Sequence, residues 1–288
     1  KLLNLLNNDV NISQRGESLL YYSIKNDSLE IAQDILENDN FDPIKSDLLK
    51  VFTSIFIGTN LLNRNNNAIL DKMTLLADYD ESHSHLIDFS KLLPNGKSFF
   101  TVFTHEMNVT EIVEFFLDHN ADPNMPDSTG ILPLQYAIMK NMNVLFHSLV
   151  NSNRIDLSVR LNSSLPVKLE NETFLHFAAR FQNPDFVDYF LRGNLVDVNS
   201  TDNLGETPLM KALVSRQIQN VIRFFMCDNL DYRHCNKKGQ DALNIAEEHF
   251  GNRKTRVKKL IGHQYNINNI PRGKREYLDK ILKICNFN

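Results

Sequence analysis

A short motif recurs in phase along this chain, and a phased motif limits the possible fold more tightly than composition can. Its copies are Gly16-Glu17-Ser18-Leu19-Leu20, Gly96-Lys97-Ser98-Phe99-Phe100, Gly130-Ile131-Leu132-Pro133-Leu134, Asn171-Glu172-Thr173-Phe174-Leu175, Gly205-Glu206-Thr207-Pro208-Leu209 and Gly239-Gln240-Asp241-Ala242-Leu243. They are separated by 80, 34, 41, 34 and 34 residues. Units of that size bury apolar surface only against their neighbours, so the pattern predicts a stacked array.

Each copy opens on a residue that tolerates positive φ. In five of the six, Ser, Thr or Asp stands two positions later, ahead of an apolar residue. This is a turn followed by a helix N-cap, whose side-chain oxygen takes up an orphan backbone N–H. Pro133 and Pro208 occupy the first helical position, where the missing donor costs nothing. Small or apolar residues at helical spacing follow, as in Ala137-Ile138, Ala178-Ala179 and Ala212-Leu213. A polar break then comes at Asn26-Asp27, Asn108, Asn141, Asn183 or Gly251, where Asn accepts the left-handed conformation of a helix end. A second helix is predicted after the break, with apolar pairs three or four apart: Ile31, Ile35 and Leu36; Ile112, Val113, Phe116 and Leu117; Phe186, Val187, Phe190 and Leu191; Val221, Ile222, Phe225 and Met226. Segments such as Asp122-Pro123-Asn124 and Asp197-Val198-Asn199 close the units.

This organisation resembles the ankyrin repeat, a unit of two antiparallel helices and a projecting β-turn, with Gly-x-Thr-Pro-Leu-His and a closing Ala-Asp-x-Asn. The residues that carry the resemblance are Gly205 to Leu209, Thr173 with Leu175-His176 and Ala178-Ala179, and Ala121 to Asn124. The interior glycine is mostly replaced, and the family's His survives only as His176. The resemblance implies an all-α ankyrin-repeat solenoid of about seven helix-turn-helix units with projecting β-turns. The units are 1–12 (partial), 13–45, 46–93 (degenerate), 94–127, 128–168, 169–202, 203–236 and 237–262. Residues 263–288 follow as a capping helix, with Tyr277, Leu278, Ile281, Leu282 and Cys285 on one face. In 46–93, helices are expected over 48–57 and 68–77, with loops at 60–67 and 78–93. An insertion of about seven residues is expected around Asp156 to Lys168. The opening in mid-repeat suggests a piece of something longer.

Composition narrows the function classes. With 42% apolar residues, 19 Phe among them, the chain has enough apolar surface to fold. No run approaches the roughly 18 apolar residues of a membrane span. The three cysteines, Cys227, Cys235 and Cys285, have no Cys-x-x-Cys spacing, which favours a reducing cytoplasmic or nuclear setting over a disulfide scaffold. Net charge is -4, but residues 233–288 hold 13 Lys and Arg against 5 Asp and Glu, while residues 1–232 hold 18 against 30.

No nucleophile, acid pair or phosphate loop stands outside the repeat pattern, so no enzyme activity, cofactor or metal is expected. His83 and His85 with Asp80 or Glu81 lack a third well-spaced ligand, and Cys227, His234 and Cys235 fit no zinc pattern. The family implies for His176 a structural hydrogen bond between repeats. The basic run containing Arg253, Lys254, Arg256, Lys258 and Lys259 is a candidate patch for an acidic partner. With no interleaved aromatic but Tyr277, nucleic acid is disfavoured. Asn199 and Asn11 each follow a Leu by eight residues and come directly after Asp-Val, a context resembling that of asparaginyl hydroxylase substrates; the alternative is a turn asparagine.

In ankyrin architecture the first helices line the concave side and make partner contacts with the turn tips. Carried onto this chain, that geometry names Tyr22, Tyr136, Met139, Phe177, Arg180, Phe181 and Lys211, side chains expected to be exposed. The alternative for Phe177 and Phe181 is burial between repeats. The reading is a non-catalytic module that binds another protein. Its rivals are the recruiting part of a larger enzyme or transcription regulator and a host-directed microbial effector.

Overall fold

Capping oxygens set where the first helices begin. Ser18, Thr173 and Thr207 accept through their hydroxyls from the backbone N–H three residues on, at 3.2, 3.3 and 3.4 Å, and Asp241 accepts from Asn244 at 2.9 Å. Leu132 has no such oxygen; there the Gln135 side chain accepts from the Leu132 N–H instead, at 2.9 Å. The turn ahead of each helix requires positive φ, and Gly96, Gly130, Asn171, Gly205 and Gly239 all adopt it, at 64–83°. At Gly205 a second constraint acts, because a Cβ would come within 3.0 Å of the Lys237 nitrogen.

A computed structural model describes residues 11, 13–14, 17–55, 66–83, 86–102, 110–163, 169–193, 195–250 and 270–284. From the N-terminal side, β1 (Ser13–Gln14) pairs antiparallel with β2 (Glu17–Ser18), followed by α1 (Leu19–Lys25), α2 (Leu29–Leu36), α3 (Leu48–Ser54), α4 (Asn66–His83) and α5 (Thr110–Asp118). Next come α6 (Pro133–Met139), α7 (Asn143–Asn151), the antiparallel pair β3 (Leu161–Ser163) and β4 (Leu169–Glu172), α8 (Phe174–Ala179) and α9 (Pro184–Arg192). The last are α10 (Pro208–Val214), α11 (Ile218–Phe225), α12 (Ala242–Phe250) and α13 (Arg272–Ile284). Among the described residues no strand exceeds four residues, so helices carry the core.

The chain divides into two compact units, residues 1–128 with 143–153 and residues 129–142 with 154–288. The first is built on aromatic packing: Phe52, Phe99, Phe100 and Phe116 are buried, with Phe99 and Phe116 rings 5.2 Å apart. Its α1 packs on α2 and α3, and α5 on α7. Here the expected helix over 68–77 runs instead from Asn66 to His83. Tyr79 meets Phe41 edge-on at 5.4 Å and stacks on His83 at 4.5 Å, which gives the added turns something to bury. The expected helix over 48–57 is α3, ending at Ser54.

In the second unit α6, α8, α10 and α12 pack in series, α9 packs on α11, and α13 lies against α12 and α11. Backbone bonds link successive turns: the Asn203 N–H donates to the Glu170 carbonyl at 2.7 Å, and Lys237 to Leu204 at 3.0 Å. The expected insertion is the β3–β4 hairpin, which buries Leu161 and Leu169. Asp27 and Asn141 take the left-handed conformation expected of them, at φ 59° and 56°. Asn183 does not: it is extended and caps α9, accepting from Asp185 at 3.0 Å, because Pro184 forces the residue before it out of helical space. Arg216 holds the left-handed position of its unit, at φ 59°. The expected partial repeat at 1–12 lies, but for Asn11, outside the described residues, as do Asn108, Gly251 and Cys285.

Candidate protein-binding cleft

The fourth residue of each first helix is Tyr22 in α1, Tyr136 in α6, Phe177 in α8 and Lys211 in α10. Exposure was expected at this position. In the second unit Tyr136, Phe177 and Lys211 are instead buried, at 6%, 4% and 3% exposure. The reason is the close series packing of the first helices, which places this position against the neighbouring helix rather than water. Tyr22, in the first unit, is half-buried, edge-on to Tyr21 at 5.6 Å.

Three residues further on, Met139 and Arg180 keep partial exposure, and so does Phe181, whose ring lies 5.0 Å from Phe177. These three line one cleft of about 560 Å³. Its walls are Ile138, Met139 and Asn141 at the end of α6, residues 180–183 between α8 and α9, and Gln217 ahead of α11. The walls are rigidly held. Asn183 donates through its side-chain amide to Asn141 at 2.9 Å, and buried Asn220 donates to the carbonyls of Ala179 and Phe181 at 3.1 and 2.8 Å.

Beneath the cleft lies a buried ionic cluster. The Lys211 ammonium meets Asp202 and Glu206 at 2.5 Å each and Glu172 at 3.3 Å; Glu172, fully buried, also pairs with Arg180. Burial alone would weaken the ammonium, but the hydrogen bonds it donates to Asp202 and Glu206 outweigh this and hold the Lys211 pKa above the usual lysine value. Glu172 and Glu206 stand at the same repeat position, just before the capping Thr. That recurrence, with a lysine where Tyr136 and Phe177 stand in sister helices, was the available sequence signal for the cluster.

His176 sits beside it, fully buried. Its Nε2 donates to the Glu206 carbonyl at 2.9 Å, so Nδ1 is the acceptor facing the Thr173 N–H at 3.2 Å. This is the bond between repeats that the resemblance implies. Burial pushes the His176 pKa down to about 4, so the ring is neutral near neutrality.

Asn199 bridges two turns: its amide donates to the Asn229 carbonyl at 2.8 Å and accepts from Asp231 at 2.7 Å. Asn11 makes the equivalent pair with Asn40 and Asp42. Asp80 accepts from the Leu86 and Ile87 N–H groups, at 2.7 and 2.8 Å, and among the described residues no group of three His, Cys, Asp or Glu is disposed to hold a metal ion. The basic run from Arg253 to Lys259 and His85 lie outside the described residues.

A family model described as ankyrin repeats, in three copies, matches residues 145–236 and 175–270. Over residues 145–270 the chain carries repeats of the ankyrin family. Ankyrin repeats generally mediate protein–protein interaction and are typically non-catalytic. No curated protein matches the chain. Among the described residues no helix is long and apolar enough to cross a membrane.

Proposed function

We propose that this ankyrin protein is a non-catalytic interaction module that binds a partner protein at the cleft between Asn141 and Gln217. The observation that carries the reading is the convergence of Met139, Arg180 and Phe181, from consecutive repeats, on one cleft with stiff walls. A methionine, an arginine and an aromatic side chain around one concavity supply interface anchors, and walls already ordered lower the entropy lost on binding. Tyr136, Phe177 and Lys211 then support the contact residues from below, and Tyr22 belongs to the equivalent helix of the first unit.

The supporting array is an ankyrin solenoid of about seven units, bounded as 13–45, 46–93, 94–127, 128–168, 169–202, 203–236 and 237–262 after a partial 1–12. The segment 263–288 closes it as a cap. In favour of the cap, Tyr277 stacks near Phe225 and donates to Asp241 at 2.9 Å, and Lys274 reaches the Cys227 carbonyl at the end of α11. A cytoplasmic or nuclear setting, a second contact through Arg253 to Lys259 and hydroxylation of Asn199 complete the reading; a one-oxygen mass gain on the peptide containing Asn199 tests the last.

The main test is affinity purification with wild type beside Met139→Glu/Phe181→Ser, the variant first shown by circular dichroism to stay helical. Loss of the retained protein in the folded variant supports the cleft. Equal retention refutes it.

A further inference from the structure

The segments that form the cleft differ from the rest of the chain in charge. Residues 138–142, 179–183 and 214–218 contain no Asp or Glu, while Lys140, Arg180 and Arg216 are cations. Residues 1–232 as a whole hold 30 acidic side chains against 18 basic ones, so three consecutive connecting segments free of carboxylates run against the trend. The nearest acid beyond Asn183 in the chain is Asp185, in the first turn of α9. Glu172, the carboxylate that meets Arg180, is fully buried and engages the guanidinium through Nε and Nη2. A guanidinium has five donors, so Nη1 has capacity for a further acceptor.

The neighbours of Arg180 suit a short peptide. Met139, Phe181 and Ile138 offer apolar contact, and the amides of Asn141, Gln182 and Gln217 can meet a polypeptide backbone. Gln182 is exposed, as are Lys140 beside Met139 and Arg216 beside Gln217. Positive charge therefore sits beside the cleft at Lys140 and in its wall at Arg180, next to apolar surface, while the Arg216 guanidinium is turned to the His249 carbonyl and the Phe250 ring.

We infer that the cleft recognises an acidic peptide segment of its partner, one that seats an apolar side chain against Met139 and Phe181 and sets carboxylates toward Arg180 and Lys140. This rests on the cleft being the partner site. A carboxylate at Arg180 forms a charge-assisted bond at little cost to the cluster behind it, because Glu172 keeps its Lys211 contact. A basic segment meets the like charges of Lys140 and Arg180 instead.

The test is selection of random short peptides displayed on phage against the full chain, with the selected peptides then measured by fluorescence anisotropy at low and high salt. Sequences enriched in Asp or Glu beside Leu, Ile, Phe or Met are expected, with affinity falling as salt rises. Arg180→Gln risks the fold, since it strips Glu172 of a partner, so the deciding variants are at exposed Gln182. Gln182→Glu should weaken the selected peptides about fivefold and Gln182→Lys should strengthen them by a smaller factor, since one added charge near another is worth about 1 kcal/mol. Enriched peptides without acidic bias that are still lost on Phe181→Ser overturn the acidic preference and leave the cleft standing. Peptides indifferent to Gln182 and Phe181 substitutions overturn both, and so does a selection that enriches basic sequences or nothing.

Discussion

Lys72 and Lys211 lie buried in different compact units, and they are stabilised in different ways. Lys72 of α4, 2% exposed, meets Asp27, whose side chain is 49% exposed. Lys211 of α10, 4% exposed at its side chain, meets three carboxylates, two of them fully buried. A half-exposed counter-ion keeps much of its hydration and can do without its partner. Buried carboxylates cannot, because an uncompensated charge in the interior costs several kcal/mol. The first lysine extends a helix toward a surface charge; the second is the centre on which two repeats are joined.

The largest expected effect follows directly. Lys211→Met leaves Glu172 paired with Arg180 but removes the ammonium that meets Asp202 and Glu206, and should cost about 3–5 kcal/mol. Lys72→Met removes a buried charge whose partner can turn to water, and should stay within about 1 kcal/mol of wild type. Urea denaturation of the two variants side by side checks this. Equal losses would show that burial of the lysine stem, common to both, outweighs the number of buried counter-charges.

The next effect is in pH. The His176 pKa is about 4 in the folded protein against an ordinary 6.5, so between these values the unfolded chain binds the extra proton. Its contribution is fully present above pH 6.5 and is lost as pH falls toward 4, a change of about 3 kcal/mol in order of magnitude. Denaturation midpoints measured from pH 7 to 4 should fall steeply in wild type and less steeply in His176→Asn. Parallel curves would show that His176 does not carry the acid sensitivity.

The repeat phase, the positive-φ turns at Gly96, Gly130, Asn171, Gly205 and Gly239, and the caps at Thr173 and Thr207 were legible in the sequence, because each is a local requirement of the backbone. The fate of the fourth helix position was not. Whether Tyr136, Phe177 and Lys211 face water depends on how closely α6, α8 and α10 approach one another, which no single repeat encodes. Asn183 shows the same limit on a smaller scale: an asparagine in a connection reads as a left-handed helix end, and the following proline decides otherwise. Met139, Arg180 and Phe181 were legible as candidates, but their meeting around one cleft depends on the spacing of two repeats.

The smallest effect sharpens the comparison between the units at one shared turn position. Asp27 and Arg216 each follow a first helix, each at φ 59°, a conformation that glycine adopts without strain and an L side chain at a cost of about 1 kcal/mol. Asp27 is the counter-ion of Lys72, so Asp27→Gly relieves the backbone but strands a buried ammonium, and should lose about 2 kcal/mol. Arg216 donates to the His249 carbonyl at 2.6 Å and lies over the Phe250 ring at 5.7 Å, contacts made at an exposed side chain. Water can replace those, so Arg216→Gly should gain about 0.5 kcal/mol. Thermal melts of the two glycine variants should shift in opposite directions. A loss at both positions would mean that the contacts of Arg216 hold α12 in place and outweigh the strain they accompany.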